Sequence, residues 1–281
     1  MLTEEEIRQD LVKLKDIVAV HKSPEAELAI HKENINGQEY DVFSKAPNNL
    51  GKLYELGLKE ADETFLVYQE ERYSFAETLN MAQRFARALK ENYDISHGDR
   101  VTICARNSPE WCIAYMAISI LGAIIVPMNS WWKGTELEYG LRDSGSKLAI
   151  LDQARFEELK PYIASLAIDV ILIKPEQESV YPEFYSLLED LDPLSQEEIT
   201  ALNVVPEDEA SIMYTSGSTG VPKGVLSTHR GIINALYTWR FVKEINEILR
   251  PELVEESPQY QPALLVNVPL FHVTGSHAQF L

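Results

Sequence analysis

The 281-residue sequence predicts an α/β fold: layered sheets, mainly parallel, with helices on both faces. Three observations predict it. Short β-branched and apolar runs alternate with segments of helical periodicity along most of the chain. Two S/T-x-x-E capping boxes, Thr3/Glu6 and Ser74/Glu77, open two of the helical segments. A hydrophobic content of 45% and a charged content of 25% are ordinary globular values, and no repeat or low-complexity tract interrupts them. A chain of this length buries roughly three quarters of its unfolded surface, so its core needs neither disulfide nor metal.

The elements follow in order. Ile7, Leu11, Leu14 and Val18 recur at helical spacing after the Thr3 cap, which predicts a surface helix. Thr64 to Gln69 is a β-branched and aromatic strand, with a hairpin-like turn at Glu70-Glu71. Phe75, Leu79, Ala82, Phe85 and Leu89 form the buried stripe of the helix capped by Ser74. Gly98-Asp99 turns into a strand at Arg100 to Ala105. Ser108-Pro109 starts a helix, Gly122 stops it, and Ile124 to Val126 is a short buried strand ended by Pro127. Glu136 to Asp143 is helical, Lys147 to Leu151 a strand, Phe156 to Ile163 a helix and Val170 to Ile173 a strand. Glu176 to Asp208, acidic and proline-bearing, is a long surface connection, and Pro251 to Pro262 is a second one. Ala210 to Tyr214 and Ala263 to Val268 are strands, the latter the last. Ile233, Tyr237, Phe241, Ile245 and Ile248 mark a helix that stops before Pro251.

Composition excludes several function classes. Twenty-five basic against 44 acidic side chains leave a net charge of −19, which argues against a general nucleic-acid binder and against docking on anionic lipid. The acidic first ten residues are no targeting signal. The uncharged run Trp111 to Trp132 is long enough to suggest a membrane span, but its internal Gly122 and Pro127 read as a buried helix followed by a buried strand. Two cysteines, Cys104 and Cys112, make no disulfide scaffold or C-x-x-C pair. They are expected in the core, in a reducing cytoplasm.

The sequence has no dinucleotide fingerprint, nucleophile elbow or zinc-protease motif. One segment does carry chemistry: Tyr214-Thr215-Ser216-Gly217-Ser218-Thr219-Gly220-Val221-Pro222-Lys223-Gly224-Val225. Glycines let backbone N–H groups approach an anion, hydroxyls add donors and Lys223 adds a point charge. It is not a Walker A loop, since Pro222 precedes the lysine and Gly224 follows it. The competing reading is a flexible Ser/Gly linker. Apolar strands on both sides and the fixed Pro-Lys-Gly favour phosphate binding. His272 is a second candidate, able to donate to a carboxylate or phosphate oxygen; against it stands a histidine merely satisfied at a strand end. His229, at a helix start, is read as structural, since a helix N-terminus disfavours an added cation. Trp131-Trp132 is read as edge packing, not a ligand shelf.

The string YTSGSTGVPKGV resembles the signature loop of the AMP-forming, adenylate-forming superfamily, which includes acyl-CoA synthetases. Tyr73 to Glu77, Gly98 to Val101, Leu121-Gly122-Ala123 with Val126-Pro127, Glu136-Leu137 with Asp143 to Gly145 and Lys147, and Pro269 to His272 resemble further family motifs in register. The resemblance implies activation of a carboxylic acid by ATP to an acyl-adenylate, then transfer to CoA, with Mg²⁺ on the phosphates. By matching position it implies that Thr215, Ser216, Gly217, Ser218, Thr219, Gly220, Lys223 and Gly224 bind ATP and that Thr215 neighbours Mg²⁺. It places Phe271 and His272 on the acid side, with Lys223 and His272 as the catalytic groups. It implies the large N-terminal domain of that fold over 1–281, incomplete, with the lysine-bearing C-terminal domain beyond Leu281. The run Val126 to Trp132 most resembles fatty-acyl-CoA synthetases; aryl or alicyclic acids are the alternative, and a non-catalytic nucleotide- or acyl-binding module is a third reading.

Overall fold

The protein is described by a computed structural model covering residues 4–215, 220–253 and 261–280. They fall into two compact units, the smaller from 1–47, 231–265 and 280–281, the larger from 48–230 and 266–279.

In the smaller unit, helix α1 (Glu4–His21) is followed by the antiparallel hairpin β1 (Ile30–Ile35) and β2 (Gln38–Phe43). The turn is Asn36-Gly37, both at positive φ (51° and 85°), as a tight two-residue hairpin requires. Helix α9 (His229–Leu249) supplies most of the rest. Buried His21 lies edge-on to Phe241 at 4.8 Å, with Nε2 3.2 Å from Glu244. Arg250 pairs with Asp10 and Arg240 with Glu27. From Arg8 onward, Ile17 and His21 are the buried residues of α1, whereas Leu11 of the expected stripe is exposed. Leu14 and Val18 of that stripe are half-buried beside them. The Thr3 cap of α1 lies outside the described residues.

The larger unit contains α2 (Leu50–Glu55), the hairpin β3 (Thr64–Tyr68) and β4 (Glu71–Ser74), and α3 (Phe75–Tyr93). The Ser74/Glu77 capping box forms with both hydrogen bonds, and Leu79, Ala82, Phe85 and Leu89 are buried as the stripe predicts. Then come β5 (Arg100–Cys104), α4 (Pro109–Ile120), β6 (Ile124–Pro127), α5 (Gly134–Ser144) and β7 (Leu148–Asp152). The short helices α6 (Gln153–Leu159) and α7 (Ile163–Leu166) precede β8 (Asp169–Ile173). Helix α8 (Gln196–Ala201), β9 (Glu209–Thr215), β10 (Lys223–Thr228) and α10 (Val273–Ala278) complete it. The six-stranded sheet runs β10-β9-β6-β5-β7-β8, parallel throughout except for β10, which pairs antiparallel with β9 at the edge. The uncharged run from Trp111 resolves into the twelve-residue α4 and β6. No helix among the described residues is long and apolar enough to cross a membrane.

Two sequence expectations need correction. The helix expected over Phe156 to Ile163 breaks into α6 and α7, because Pro161 has no N–H to continue it. The strand expected over Ala263 to Val268 is irregular backbone; a side chain, not a ladder, takes its carbonyls, and α10 follows it. The Glu176 to Asp208 connection carries α8 and is strapped to α3. Arg84 donates to the carbonyls of Leu188 and Leu191, Arg87 to those of Asp192 and Pro193 and to Glu198 (2.8 Å). Most of the Pro251 to Pro262 connection lies outside the described residues.

Both cysteines are buried and free, and burial pushes the Cys112 thiol up to about 12. His229, at the start of α9, is fully buried. Its Nδ1 accepts the Leu50 N–H (3.1 Å), so the neutral ring carries its proton on Nε2, which has no partner among the described residues. Burial lowers its pKa to about 4; Asp208 pulls upward and His97 downward. A neutral buried histidine stabilises the fold above its unfolded pKa of 6.5, and that stability is lost as pH falls from 6.5 toward 4. We expect wild-type unfolding free energy to drop by up to about 3 kcal/mol across that window. His229→Asn, which keeps an acceptor for Leu50, should flatten the slope in urea titrations at pH 7 and 4.5. Equal slopes for the two proteins would remove His229 as the cause.

Candidate functional site

The Ser/Gly/Lys segment is the turn of a β-hairpin. β9 leaves the core at Ser211, which pairs with Ile125 of β6, and ends at Thr215. β10 returns in register, Lys223 opposite Thr215 and Gly224 opposite Tyr214. Thr215 and Lys223 therefore stand side by side at the mouth of the loop, both exposed, with the Thr215 hydroxyl 3.5 Å from the Lys223 carbonyl. Among the described residues Lys223 has no carboxylate partner, in a chain with 44 acidic side chains. Ser216, Gly217, Ser218 and Thr219 lie outside the described residues. Gly220 has φ 82°, the left-handed region, while a Cβ there would meet nothing within 4 Å, so conformation and not space calls for glycine. At Gly224 space decides: a Cβ would stand 2.7 Å from Ile212 Cγ2.

Tyr214 anchors the base of the hairpin. Its ring packs against the cluster of Met128, Leu137, Leu141 and Leu151, and its hydroxyl donates to Asp143 Oδ2 (2.6 Å). Burial and then the Asp143 charge hold the phenol well above its usual range, so it stays a donor.

The Pro269–His272 motif is fixed from a different loop. Asn107 Nδ2 donates to the Val268 carbonyl (2.9 Å), and its Oδ1 accepts the Leu270 N–H (2.9 Å). Gly275 packs backbone to backbone, since a Cβ would lie 2.2 Å from the Pro269 carbonyl oxygen. His272 is the N-cap of α10, its Nδ1 accepting weakly from Thr274 N (3.4 Å), which leaves the exposed Nε2 edge outward. No hydrogen bond joins His272 to Thr215 or Lys223 among the described residues. His229 is elsewhere, buried against Leu50.

The tryptophan pair touches both motifs. Trp132 meets Tyr214 at 5.6 Å, and Trp131 meets Phe271 edge-on at 5.3 Å and 87°. Trp132 packs on the core, whereas Trp131 is 64% exposed. Its loop is rigid: Arg155 donates twice to the Ser130 carbonyl (2.7 and 2.6 Å) and pairs with Asp152, whose Oδ2 also takes the Arg106 N–H. This cluster sits beyond the C-terminal ends of β5 and β7. There the strand order reverses, β6 lying on one side of β5 and β7 on the other, which is where open α/β sheets bind ligands. Sequence reasoning missed Asn107, Asp152 and Arg155. The available signals were an Asn just before the Ser108 cap and an Asp closing a strand. No group of three or more His, Cys, Asp or Glu able to hold a metal occurs among the described residues.

A family model described as AMP-binding enzyme matches residues 56–281. The 4-coumarate–CoA ligase 2 of Oryza sativa subsp. japonica is 31% identical over 176 residues, 58% of this chain and 30% of its own. The long-chain-fatty-acid–CoA ligase FadD13 of Mycobacterium tuberculosis is 30% identical over 207 residues, 73% of this chain and 36% of its own. The chain thus spans about a third of the length of these curated relatives. Among solved structures, the inhibitor-bound N-terminal domain of FACL13 from Mycobacterium tuberculosis superposes with a TM-score of 0.66 at 25% identity, over 83% of this chain and 54% of that one. The anthranilate CoA ligase AuaEII in complex with anthranoyl-AMP gives 0.63 at 26% identity, over 68% and 36%.

Asn107→Ala should release the Val266–Leu270 segment at a cost of about 1–3 kcal/mol, because it leaves the Leu270 N–H and the Val268 carbonyl unpaired. Faster hydrogen exchange at the Leu270 amide is the expected readout; unchanged protection there would show that Asn107 does not hold the motif.

Proposed function

The chain belongs to the family of AMP-binding enzymes, and on that premise we propose that it forms the ATP- and acid-facing part of an AMP-forming acid–CoA ligase. The observation that carries the proposal is the pairing of exposed Thr215 with Lys223, free of carboxylates among the described residues, at the hairpin mouth, with Trp132 on Tyr214 and Trp131 on Phe271 beside it. Lys223 offers a point charge to the β- and γ-phosphates, and the backbone from Thr215 to Gly224, with the hydroxyls of Ser216, Ser218 and Thr219, supplies donors. Such donors, fixed before reaction, stabilise charge as it grows on departing pyrophosphate. In a molecule of charge −19 this local cradle offsets a long-range field that repels ATP. The donor set fits Mg²⁺ only in part: Thr215 offers one oxygen, and phosphates and water would complete a site of the kind Mg²⁺ prefers, where it neutralises phosphate charge.

His272, with Nε2 directed outward beside Phe271, is the group that meets the acid carboxylate where it joins the α-phosphate. The resemblance of Val126 to Trp132 supports a fatty acid. A second reading, an aromatic acid, is favoured by the exposed Trp131 edge against Phe271, which presents a flat apolar wall. CoA is the expected acceptor; no residue described here is assigned to it. Buried free thiols fit a reducing, cytoplasmic setting.

Binding and turnover test separate parts of this reading. Wild-type chain should bind Mg·ATP in calorimetry, and Lys223→Ala should weaken binding about tenfold, near 1.4 kcal/mol. Equal affinities would remove the role given to Lys223. The 281-residue chain alone should show no carboxylate-dependent ATP–pyrophosphate exchange, since the reading assigns the adenylation lysine to polypeptide beyond it. Exchange above background would overturn that division, and the best acid in a fatty and aromatic panel would identify the substrate class.

A further inference from the structure

Helix α5 holds both strands of the hairpin from one face. Tyr139 and Asp143 are four residues apart, so they lie one turn above another on the same side of the helix. Tyr139 donates to the Pro222 carbonyl (3.1 Å), one residue before Lys223. Asp143 accepts the Tyr214 hydroxyl (2.6 Å), one residue before Thr215, and the Gly140 carbonyl faces the same hydroxyl at 3.3 Å. Gly140, between Tyr139 and Asp143, packs against Met128 and Trp132: a Cβ there would lie 2.9 Å from a side-chain atom of each. The hairpin needs an outside hold. β10 is the last strand of the sheet, with Val225 and Leu226 about half exposed, and β9 is its only ladder partner among the described residues.

We propose that Tyr139 and Asp143 are positioning residues for nucleotide binding: by gripping Pro222 and Tyr214 they set the spacing of Lys223 and Thr215 across the loop mouth. This rests on the nucleotide reading given above. The two grips differ in kind. Asp143 acts through a side chain, Tyr214, whereas Tyr139 reads a backbone carbonyl at the one proline of the loop, which has no N–H and so adds no ladder bond of its own. Neither residue touches a phosphate. Their effect is on where the lysine and threonine stand, so it should appear in affinity and in loop protection, not as a general loss of stability.

The test uses the whole chain and two readouts. Hydrogen exchange is followed at Gly220, Lys223, Gly224 and Thr215, with β7 and β8 as the internal control. Mg·ATP affinity is measured by calorimetry. Tyr139→Phe keeps the ring and removes the donor; Asp143→Ala removes the acceptor, and Asp143→Asn restores one. We expect Tyr139→Phe and Asp143→Ala to speed exchange in the hairpin and to weaken Mg·ATP binding, each about three- to tenfold, with β7 and β8 unchanged. Asp143→Asn should recover most of both. Should Asp143→Ala fail to fold, Tyr139→Phe alone carries the measurement. Unchanged hairpin exchange in Tyr139→Phe overturns the proposal. Faster exchange with unaltered affinity also overturns it, reducing the grip to packing. If wild-type chain binds no Mg·ATP, the nucleotide reading fails instead, and the exchange rates still decide whether α5 holds the hairpin.

Discussion

Helix α4 has no polar face: all twelve residues from Pro109 to Ile120 are buried, and such a helix is stable only when enclosed on every side. That requirement organises the larger unit. α3 lies against α4 on one side, and the chain reverses at Gly122 (φ 68°) to place β6, buried along its whole length, directly after it. The one carboxylate inside the helix, Glu110, is compensated by the Tyr185 hydroxyl at 2.6 Å and the Lys174 ammonium at 2.9 Å. β6 then seats β9 through the Ile125–Ser211 pair, and β9 runs out to exposed Thr215, opposite Lys223. The position of Lys223 is thus inherited, step by step, from the burial of a helix that touches no ligand.

Electrostatics work against that scaffold rather than with it. A net charge of −19 is spread over a surface where most cations are already committed, Arg87 to Glu198 and Glu91, Lys147 to Asp99, Lys133 to Glu158. Exposed pairs of this kind contribute little to stability. They do lower the number of free positive charges, and so sharpen the contrast at Lys223, which has no carboxylate partner among the described residues.

The alternation of strands and helices, the Ser74 and Ser108 caps, the Gly122 and Gly145 stops and the strands on both sides of the signature were legible in the sequence, because each rests on local chemistry. Residues 216–219, the heart of the signature, lie outside the described residues, so their assignment rests on resemblance alone. The non-local holds were not legible. Asn107 reaches across more than 160 positions to Leu270, and Arg155 reaches back to Ser130; neither residue type nor spacing announces such a partner. The tryptophan pair reads as edge packing, and the fold adds the direction of each ring: Trp132 turns inward to Tyr214 and Trp131 outward to Phe271. The strand expected over Ala263 to Val268 failed: β-branched composition indicates an extended chain but cannot say whether a ladder partner exists.

The residues that hold these loops share a habit. Arg84 and Arg87 clasp carbonyls of the 188–193 strap, Arg155 a carbonyl at Ser130, and Asn107 the amide and carbonyls around Val268. Every amino acid offers a carbonyl and nearly every one an amide, so these grips are indifferent to the side chains of what they hold. Position and identity are thereby decoupled. The side chains at 271 or 131 can be exchanged for larger, smaller or more polar ones while the backbone beneath them stays where it is. A framework built this way can be retuned one side chain at a time, without rebuilding the mount on which those side chains sit.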